Sequence, residues 1–410
     1  MTKDKNRKSE SLSYLTWQRL KKNKLSMFGL FIIVSFILVA ILGFLITPDS
    51  SPDANTQLLE LSKKPPGFKV KFLSAKKNEA THSVNFFSKM LFGEKSDYTF
   101  IPVSSYRFSQ NDLIYKEYNT DTTLSFEKKI NIADVVYSVK DNSISETAES
   151  ISFIDFDINQ KNTKSIKELQ SEIIKNNITT KTFLLGTDPA GRDLLSRLML
   201  GTRVSFSVGF ISVFISLLLG IFMGAVAGYY RGKVDNIIIW IINVVWSIPT
   251  LLLVIAITLA LGKGFWQVFV AVGLTMWVEV ARVIRGQIIS LREKEFVEAA
   301  RALGYRDFRI ITRHILPNVM GPVIVISASN FASAILIEAG LSFLGIGAQP
   351  PTASWGEMIN SHRGYIIGDS AYLAFLPGMA IMLMVLAFVL VGNGLRDALD
   401  TKLDNDQMMY

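Results

Sequence analysis

The 410-residue chain has no cysteine and only three histidines. The first absence excludes disulfides and thiolate metal sites. It leaves the compartment open, because a cysteine-free domain suits either redox state. A phosphate-cradling loop of the form G-x-x-x-x-G-K-[ST] is also missing. The nearest sequence, Gly232-Lys233-Val234, lacks both the earlier glycine and the hydroxyl. The chain therefore cannot cradle ATP phosphates by the usual route, and any ATP-driven work needs hydrolysis in another subunit. Internal repeats are not evident. Charge is absent from long stretches: 49% of residues are hydrophobic against 19% charged, and the apolar ones are clustered.

Met27–Ile46 is 20 residues without a charge. At about 1.5 Å per residue it spans a hydrocarbon core of roughly 30 Å. Five further candidates follow: Val204–Gly228, Ile237–Leu261, Phe265–Ala281, Val319–Ile337 and Leu373–Val391. Six helical spans are expected, since an open sheet edge cannot sit in lipid. Met27–Ile46 has the basic flank of a secretory signal. Its apolar core is too long for one, and no small-residue cleavage site stands out in Leu45–Ser51, so a retained anchor is expected.

The net charge is +8. Nucleic-acid binding is the ordinary reading of a basic protein, but the distribution argues against it. Between Pro48 and Ala190 there are 18 Lys and Arg against 19 Asp and Glu, and the excess lies beside the apolar runs. Eight basic residues precede Met27, among them Arg19, Lys21, Lys22 and Lys24, and seven lie between Arg285 and Arg313. The positive-inside rule makes both segments cytoplasmic. Six spans then put both termini inside and residues 47–203 outside.

Four regions are expected: a cytoplasmic amphipathic N-terminus (1–26), the first transmembrane helix (27–46), an extracytoplasmic insert (47–186) and a core with five more spans (187–410). In the N-terminus, Leu12, Leu15, Trp17 and Leu20 alternate with polar and basic residues and suit an interfacial helix. An ordinary basic flank is the alternative. The insert is rich in Lys, Asn, Ser and Thr. Strands are expected at Phe68–Phe72, Tyr98–Tyr106, Leu113–Tyr118, Thr123–Phe126 and Ile151–Ile158, with a helix over Ser165–Lys175. About 140 residues suffice for a β-rich domain with its own core. It holds no catalytic constellation, and His82, its sole histidine, reads as a surface residue.

Four segments carry mechanism. In the first, Leu185 to Asp193, Thr187 or Asp188 can cap a helix whose first turn holds Pro189, and Gly191 permits close backbone approach. A turn back into the membrane with a cap is its plain reading. The second runs from Glu298 to Asn318. Helix-forming residues dominate Glu293–Leu303, Glu298 can pair with Arg301, Gly304 suits a turn or close contact, and Pro317 is expected to end the second helical stretch. An ordinary basic loop is its plain reading. The third, Leu341–Met358, has two prolines and several glycines, a backbone tolerated at membrane depth only under cover of protein or water. The fourth is Val391–Asp400. Charges within spans are few. Glu279 and Arg282, near the inner end of the fourth span, are spaced to pair structurally. Glu338, at the outer end of the fifth, is a candidate pathway residue, with a structural hydrogen bond as the alternative.

The first segment resembles the LGTD-x-x-GRD-x-x-SR segment of dipeptide and oligopeptide permeases, on Gly186, Asp188, Gly191, Arg192, Asp193, Ser196 and Arg197. Glu298, Ala299, Ala300, Gly304, Leu316 and Pro317 resemble the EAA loop of ABC-importer permeases. His314, where the general motif is apolar, resembles the peptide branch; on its own it reads as a partly buried histidine with one hydrogen bond. Leu341–Gly345 and Ser354-Trp355-Gly356 match that branch too. Asn393 and Thr401 depart from the usual acid and proline, which touches only local tail contacts.

The resemblance, to the dipeptide/oligopeptide/nickel permease C family, covers residues 1–48 and 183–402. It implies an all-α polytopic membrane protein of the type I ABC importer permease fold, with six transmembrane helices; nothing of it carries over onto the β-rich insert expected between the first two. It implies ATP-driven peptide import by alternating access. The implied partners are a second permease subunit in a heterodimer, cytoplasmic ABC ATPases holding ATP and Mg, and an extracytoplasmic substrate-binding protein. This chain would bind no cofactor, no metal and no nucleic acid. Glu298, Ala299, Ala300, Gly304, His314, Leu316 and Pro317 would form the ATPase-coupling loop. Glu338, Ser354 and Trp355 are candidate pathway or outer-gate residues, and the insert a docking surface or a cover. Two other classes remain. A membrane-anchored sensor would act through its insert without an ATPase. An ion-coupled transporter would need more ionisable groups deep in the spans.

Overall fold

The computed structural model describes residues 12–80, 84–119, 126–140, 142–262 and 264–399. Its elements begin with α1 (Leu12–Lys22), α2 (Lys24–Ile46), β1 (Phe68–Lys76), α3 (Phe86–Phe92), β2 (Tyr98–Ser109), β3 (Asp112–Glu117), β4 (Glu127–Asn131) and α4 (Ile132–Val136). Next come β5 (Ser145–Glu146), β6 (Ser150–Ile154), β7 (Lys161–Ser165), α5 (Ile166–Glu172) and β8 (Ile178–Phe183). The rest is helical: α6 (Leu194–Tyr230), α7 (Gly232–Ser247), α8 (Thr250–Leu261), α9 (Phe265–Arg292), α10 (Glu295–Ala302), α11 (Asp307–Ile310), α12 (Leu316–Phe343), α13 (Trp355–His362) and α14 (Tyr372–Leu399). The chain divides into two units. One is drawn from 1–40, 201–366 and 374–410, the other from 41–200 and 367–373.

Among the described residues, α2, α6, α9, α14 and the run Asp307–Phe343 are long and apolar enough to cross a membrane. They extend past the apolar runs that announce them. The main case is α9, which continues eleven residues beyond Ala281 to Arg292. Backbone hydrogen bonding does not stop where hydrophobicity does.

Ile237–Leu261 is not one continuous helix. It breaks into α7 and α8, bent by 93°. The cause is Pro249. The residue before a proline is pushed out of the helical region, and Ile248 lies at φ −91°, ψ 128°.

In the first unit α9 is the central helix, burying Val272, Val280, Ala281, Ile284 and Ile288. Gly220, Gly224 and Gly228 of α6 repeat every four residues and let the backbones close up. A Cβ at Gly224 would stand 2.6 Å from the Ala281 carbonyl oxygen, and one at Gly228 2.9 Å from that of Arg285. Arg285 of α9 holds Asp235 of α7 through both carboxylate oxygens, at 2.5 and 2.7 Å.

The second unit carries two antiparallel sheets, ordered β4-β3-β2-β1-β8 and β5-β6-β7. Its core holds Leu73, Val103, Leu113, Ile132, Ile151, Phe153, Leu169 and Ile173. The β-rich insert is thus a packed domain. Three expected strands are present and longer or shifted by a residue, and the strand at Ile151 stops at Ile154. Helix α5 starts at Ile166, where the Ser165 hydroxyl accepts the Glu168 N–H at 3.2 Å. The expected strand Thr123–Phe126 lies almost wholly outside the described residues, as does His82.

Candidate functional site

Helix α10 has two faces. Val297 and Ala300 are buried, in one cluster with Tyr229, Ile284, Ile288, Ile310, Ile315 and Val319. Glu298 and Ala299 point outward and are exposed. The helix stops at Gly304, whose φ is +76°. The Tyr305 N–H reaches back to the Ala300 carbonyl at 3.1 Å, the bond that closes a helix through a left-handed residue. Nothing lies within 4 Å of where a Gly304 Cβ would be, so conformation and not crowding calls for glycine here.

The return segment is pinned from below. The Tyr229 hydroxyl donates to Asp307 at 2.6 Å, and the Arg301 guanidinium lies 5.4 Å from the Tyr229 ring centre. The expected Glu298–Arg301 pair does not form among the described residues; the arginine takes the ring. His314 stacks on Tyr305 with ring centres 5.7 Å apart, and its Nε2 is buried without a hydrogen-bond partner. Ring stacking, not the one hydrogen bond expected, thus holds this histidine. Pro317 does not end a helix. It sits in the first turn of α12, where a missing N–H costs nothing, and a widened turn at Ile311–Ile315 joins α11 to α12. Sequence reading missed three apolar side chains on this surface: Phe296, Leu303 and Phe308 are 41, 71 and 78% exposed. An i, i+7, i+12 spacing among exposed charges gave no periodic signal.

The segment before α6 belongs to the second unit. Asp188 is fully buried. It accepts the N–H groups of Ala190 and Arg192, each at 2.9 Å, and the Arg192 Nε at 2.6 Å, with Arg197 Nε at 3.8 Å. It does not cap a helix containing Pro189. The helix starts at Leu194, and Asp193 caps it by accepting the Ser196 N–H at 3.1 Å. Burial pushes the Asp193 carboxyl above its ordinary value, against the Ser196 bonds that lower it. Gly186 and Gly191 have φ of +80° and +73°. A Cβ on Gly191 would fall 1.7 Å from the Leu58 carbonyl oxygen, so the close approach expected there exists.

Glu338, Ser354 and Trp355 come together, but as packing. Glu338 and Trp355 are 2 and 0% exposed. Glu338 Oε1 accepts the Ser342 hydroxyl at 2.7 Å, and its Oε2 is buried without a partner. Ser354 caps α13 by accepting the Glu357 N–H at 3.1 Å. The Trp355 ring meets Phe36 edge-on at 5.6 Å and lies on Gly201. None of the three lines an open passage in this structure; they form a packed cluster.

The pairing expected within the fourth span also changes. Glu279 and Arg282 form no ion pair; Arg282 lies flat over Trp246, 3.7 Å from the ring centre. With α9 running to Arg292, Glu279 stands near its middle rather than its inner end. Among the described residues no group of three His, Cys, Asp or Glu is placed to hold a metal.

Residues 216–405 match the family of binding-protein-dependent transport system inner membrane components. Residues 11–66 match the N-terminal TM domain of oligopeptide transport permease C. The glutathione transport system permease protein GsiD of Pectobacterium atrosepticum is 42% identical over 219 residues, 53% of this chain and 72% of that protein. The dipeptide transport system permease protein DppC of Bacillus subtilis is 42% identical over 218 residues, 53% of this chain and 68% of that protein. An inward-facing MetNI methionine ABC transporter structure matches at TM-score 0.43 and 17% identity, over 50% of this chain and 98% of its own. At such identity and coverage the chain belongs to the binding-protein-dependent permease family, as an integral-membrane permease subunit of the peptide-type ABC importers.

Proposed function

We propose that this chain imports peptides across a bacterial cytoplasmic membrane, driven by separate ATPases that grip its α10–α11 segment. The observation that carries the coupling role is the surface of α10. Its buried half is anchored in the core, and its outward half offers Glu298 and Ala299 flanked by Phe296, Leu303 and Phe308. Apolar side chains ringed by charge suit a protein partner. A rigid anchor under a docking surface can pass a push into α9 and α12. Two ABC ATPases bearing ATP and Mg, a second permease and a substrate-binding protein complete the assembly in this reading. The peptide cargo follows the names of the dipeptide and glutathione relatives.

The bent pair α7–α8 counts as one broken span in this reading, giving six. Neither half, at 16 and 12 residues, covers about 30 Å alone. Both termini lie inside and residues 47–203 outside, as the basic flanks require. The insert docks the binding protein, and deleting it should reduce uptake at low peptide concentration. The sensor reading has no support among these relatives.

Gly304→Arg tests the coupling. A side chain there faces open space but meets a left-handed backbone, and a bulky cation would stand on the docking surface. The variant should insert and assemble yet lose peptide-stimulated ATP hydrolysis. Ordinary stimulation in a stably assembled variant refutes the role.

A further inference from the structure

Seven residues of α9 are exposed, and they fall on two faces. Trp266, Val270 and Leu274 form an apolar stripe. Glu279, Gly286, Gln287 and Ser290 form the other. At 100° per residue the apolar stripe lies about 140–220° around the helix from Glu279. Lipid takes the apolar stripe, and a charge near the middle of a span needs a different neighbour. Among the described residues none is supplied. Glu279 has no hydrogen bond or ion pair among the described residues, and the cation nearest in sequence, Arg282, is spent on Trp246.

The carboxylate instead lines a cavity of about 220 Å³, shared by α7, α8, α9 and α12. The break at Ile248–Pro249 opens it. Trp246 and Thr250 come from the two sides of that break, Thr275 lies one turn from Glu279 on α9, and Ser333 faces in from α12. One carboxylate among hydroxyls, beside a tryptophan that Arg282 already covers, lacks the ligand count a divalent metal needs. It matches one monovalent, hydrogen-bonding cation.

We propose that Glu279 is a cargo-binding residue in the translocation pathway, receiving the ammonium group of a peptide N-terminus in this cavity. The inference rests on the peptide-import reading and adds a subsite to it. It also assigns the broken span a purpose, since a continuous helix would fill the space that α7 and α8 leave.

The test is binding of trialanine and N-acetyl-trialanine to the assembled permease–ATPase complex in nanodiscs, without the binding protein. Wild type should prefer the free amine by at least about tenfold, the scale of one charge-assisted hydrogen bond. Glu279→Gln should abolish the preference, and Glu279→Asp should restore most of it. Three results overturn the proposal. Wild type shows no preference, the preference survives in Glu279→Gln, or Glu279→Gln separates the two permeases on size exclusion. The last would make the carboxylate's partner a cation of the other subunit. If wild type still imports trialanine with its binding protein while showing no preference, the subsite falls and the import reading stands. Failure of import with any peptide removes both.

Discussion

Replacing Asp188 by Asn removes one charge from a buried cluster and little else. The new side-chain oxygen can still accept the N–H groups of Ala190 and Arg192, now 2.9 Å from the carboxylate. What disappears is the negative partner of Arg192 at 2.6 Å, with the fully buried Arg197 3.8 Å away. Removing one partner of a buried pair costs about 3–5 kcal/mol, because the remaining charge stays out of water. At about 1.4 kcal/mol per decade, the lower figure raises the local opening constant roughly 100-fold. Amide hydrogen exchange reads this directly. The Lys63 N–H donates to the Asp188 carbonyl at 3.1 Å and the Thr187 N–H to the Lys64 carbonyl at 3.0 Å. Neither acceptor is altered by the substitution. Peptides covering 60–66 and 186–193 should exchange about 100-fold faster in Asp188→Asn, while those from β2 and β3 keep their rates. Asp188→Ala should be worse by a further ~1 kcal/mol, since two half-buried N–H groups lose their acceptor. Exchange within threefold of wild type in Asp188→Asn refutes the reasoning.

Trp355→Ala should lower stability by about 3–5 kcal/mol, since the fully buried ring leaves a void between Phe36 and Gly201; an unchanged melting midpoint in detergent contradicts this. The raised pKa of Asp193 makes the folded state hold that proton more tightly than the unfolded chain. Its contribution is complete below the unfolded value of about 3.8 and is lost as pH rises through the folded one. Asp193→Asn should flatten that part of a midpoint-versus-pH profile while keeping the Ser196 cap, and an unaltered slope contradicts it.

The long helices were legible because membrane spans announce themselves through uncharged runs. Pro249 was legible as a residue but not as a break, since the apolar run continues through it and lipid solvent favours helix on both sides. In the insert, the strands that begin at Phe68, Tyr98 and Asp112 are ones that alternation marks. Strands β4 and β8 escaped because Glu127–Asn131 and Ile178–Phe183 owe their conformation to neighbours β3 and β1, not to their own pattern. The short helix carrying Glu298 and Ala299 and its stop at Gly304 were legible, because helix-forming residues and a glycine at that spacing announce both. The packing of Trp355 was not, since it depends on Phe36 and Gly201, distant in sequence, whereas Glu338 makes the local structural hydrogen bond, to Ser342, that was its alternative reading. Glu279 was misplaced for one reason: the end of α9 was taken from where apolarity fades.

The central claim is that this chain is a pathway powered by separate ATPases through α10. Proteoliposomes holding this chain, its partner permease and the ATPases, supplied outside with binding protein and labelled trialanine, test it most directly. Uptake should require ATP inside and cease when hydrolysis is blocked. Uptake that proceeds without ATP, or that follows an imposed ion gradient, would contradict it.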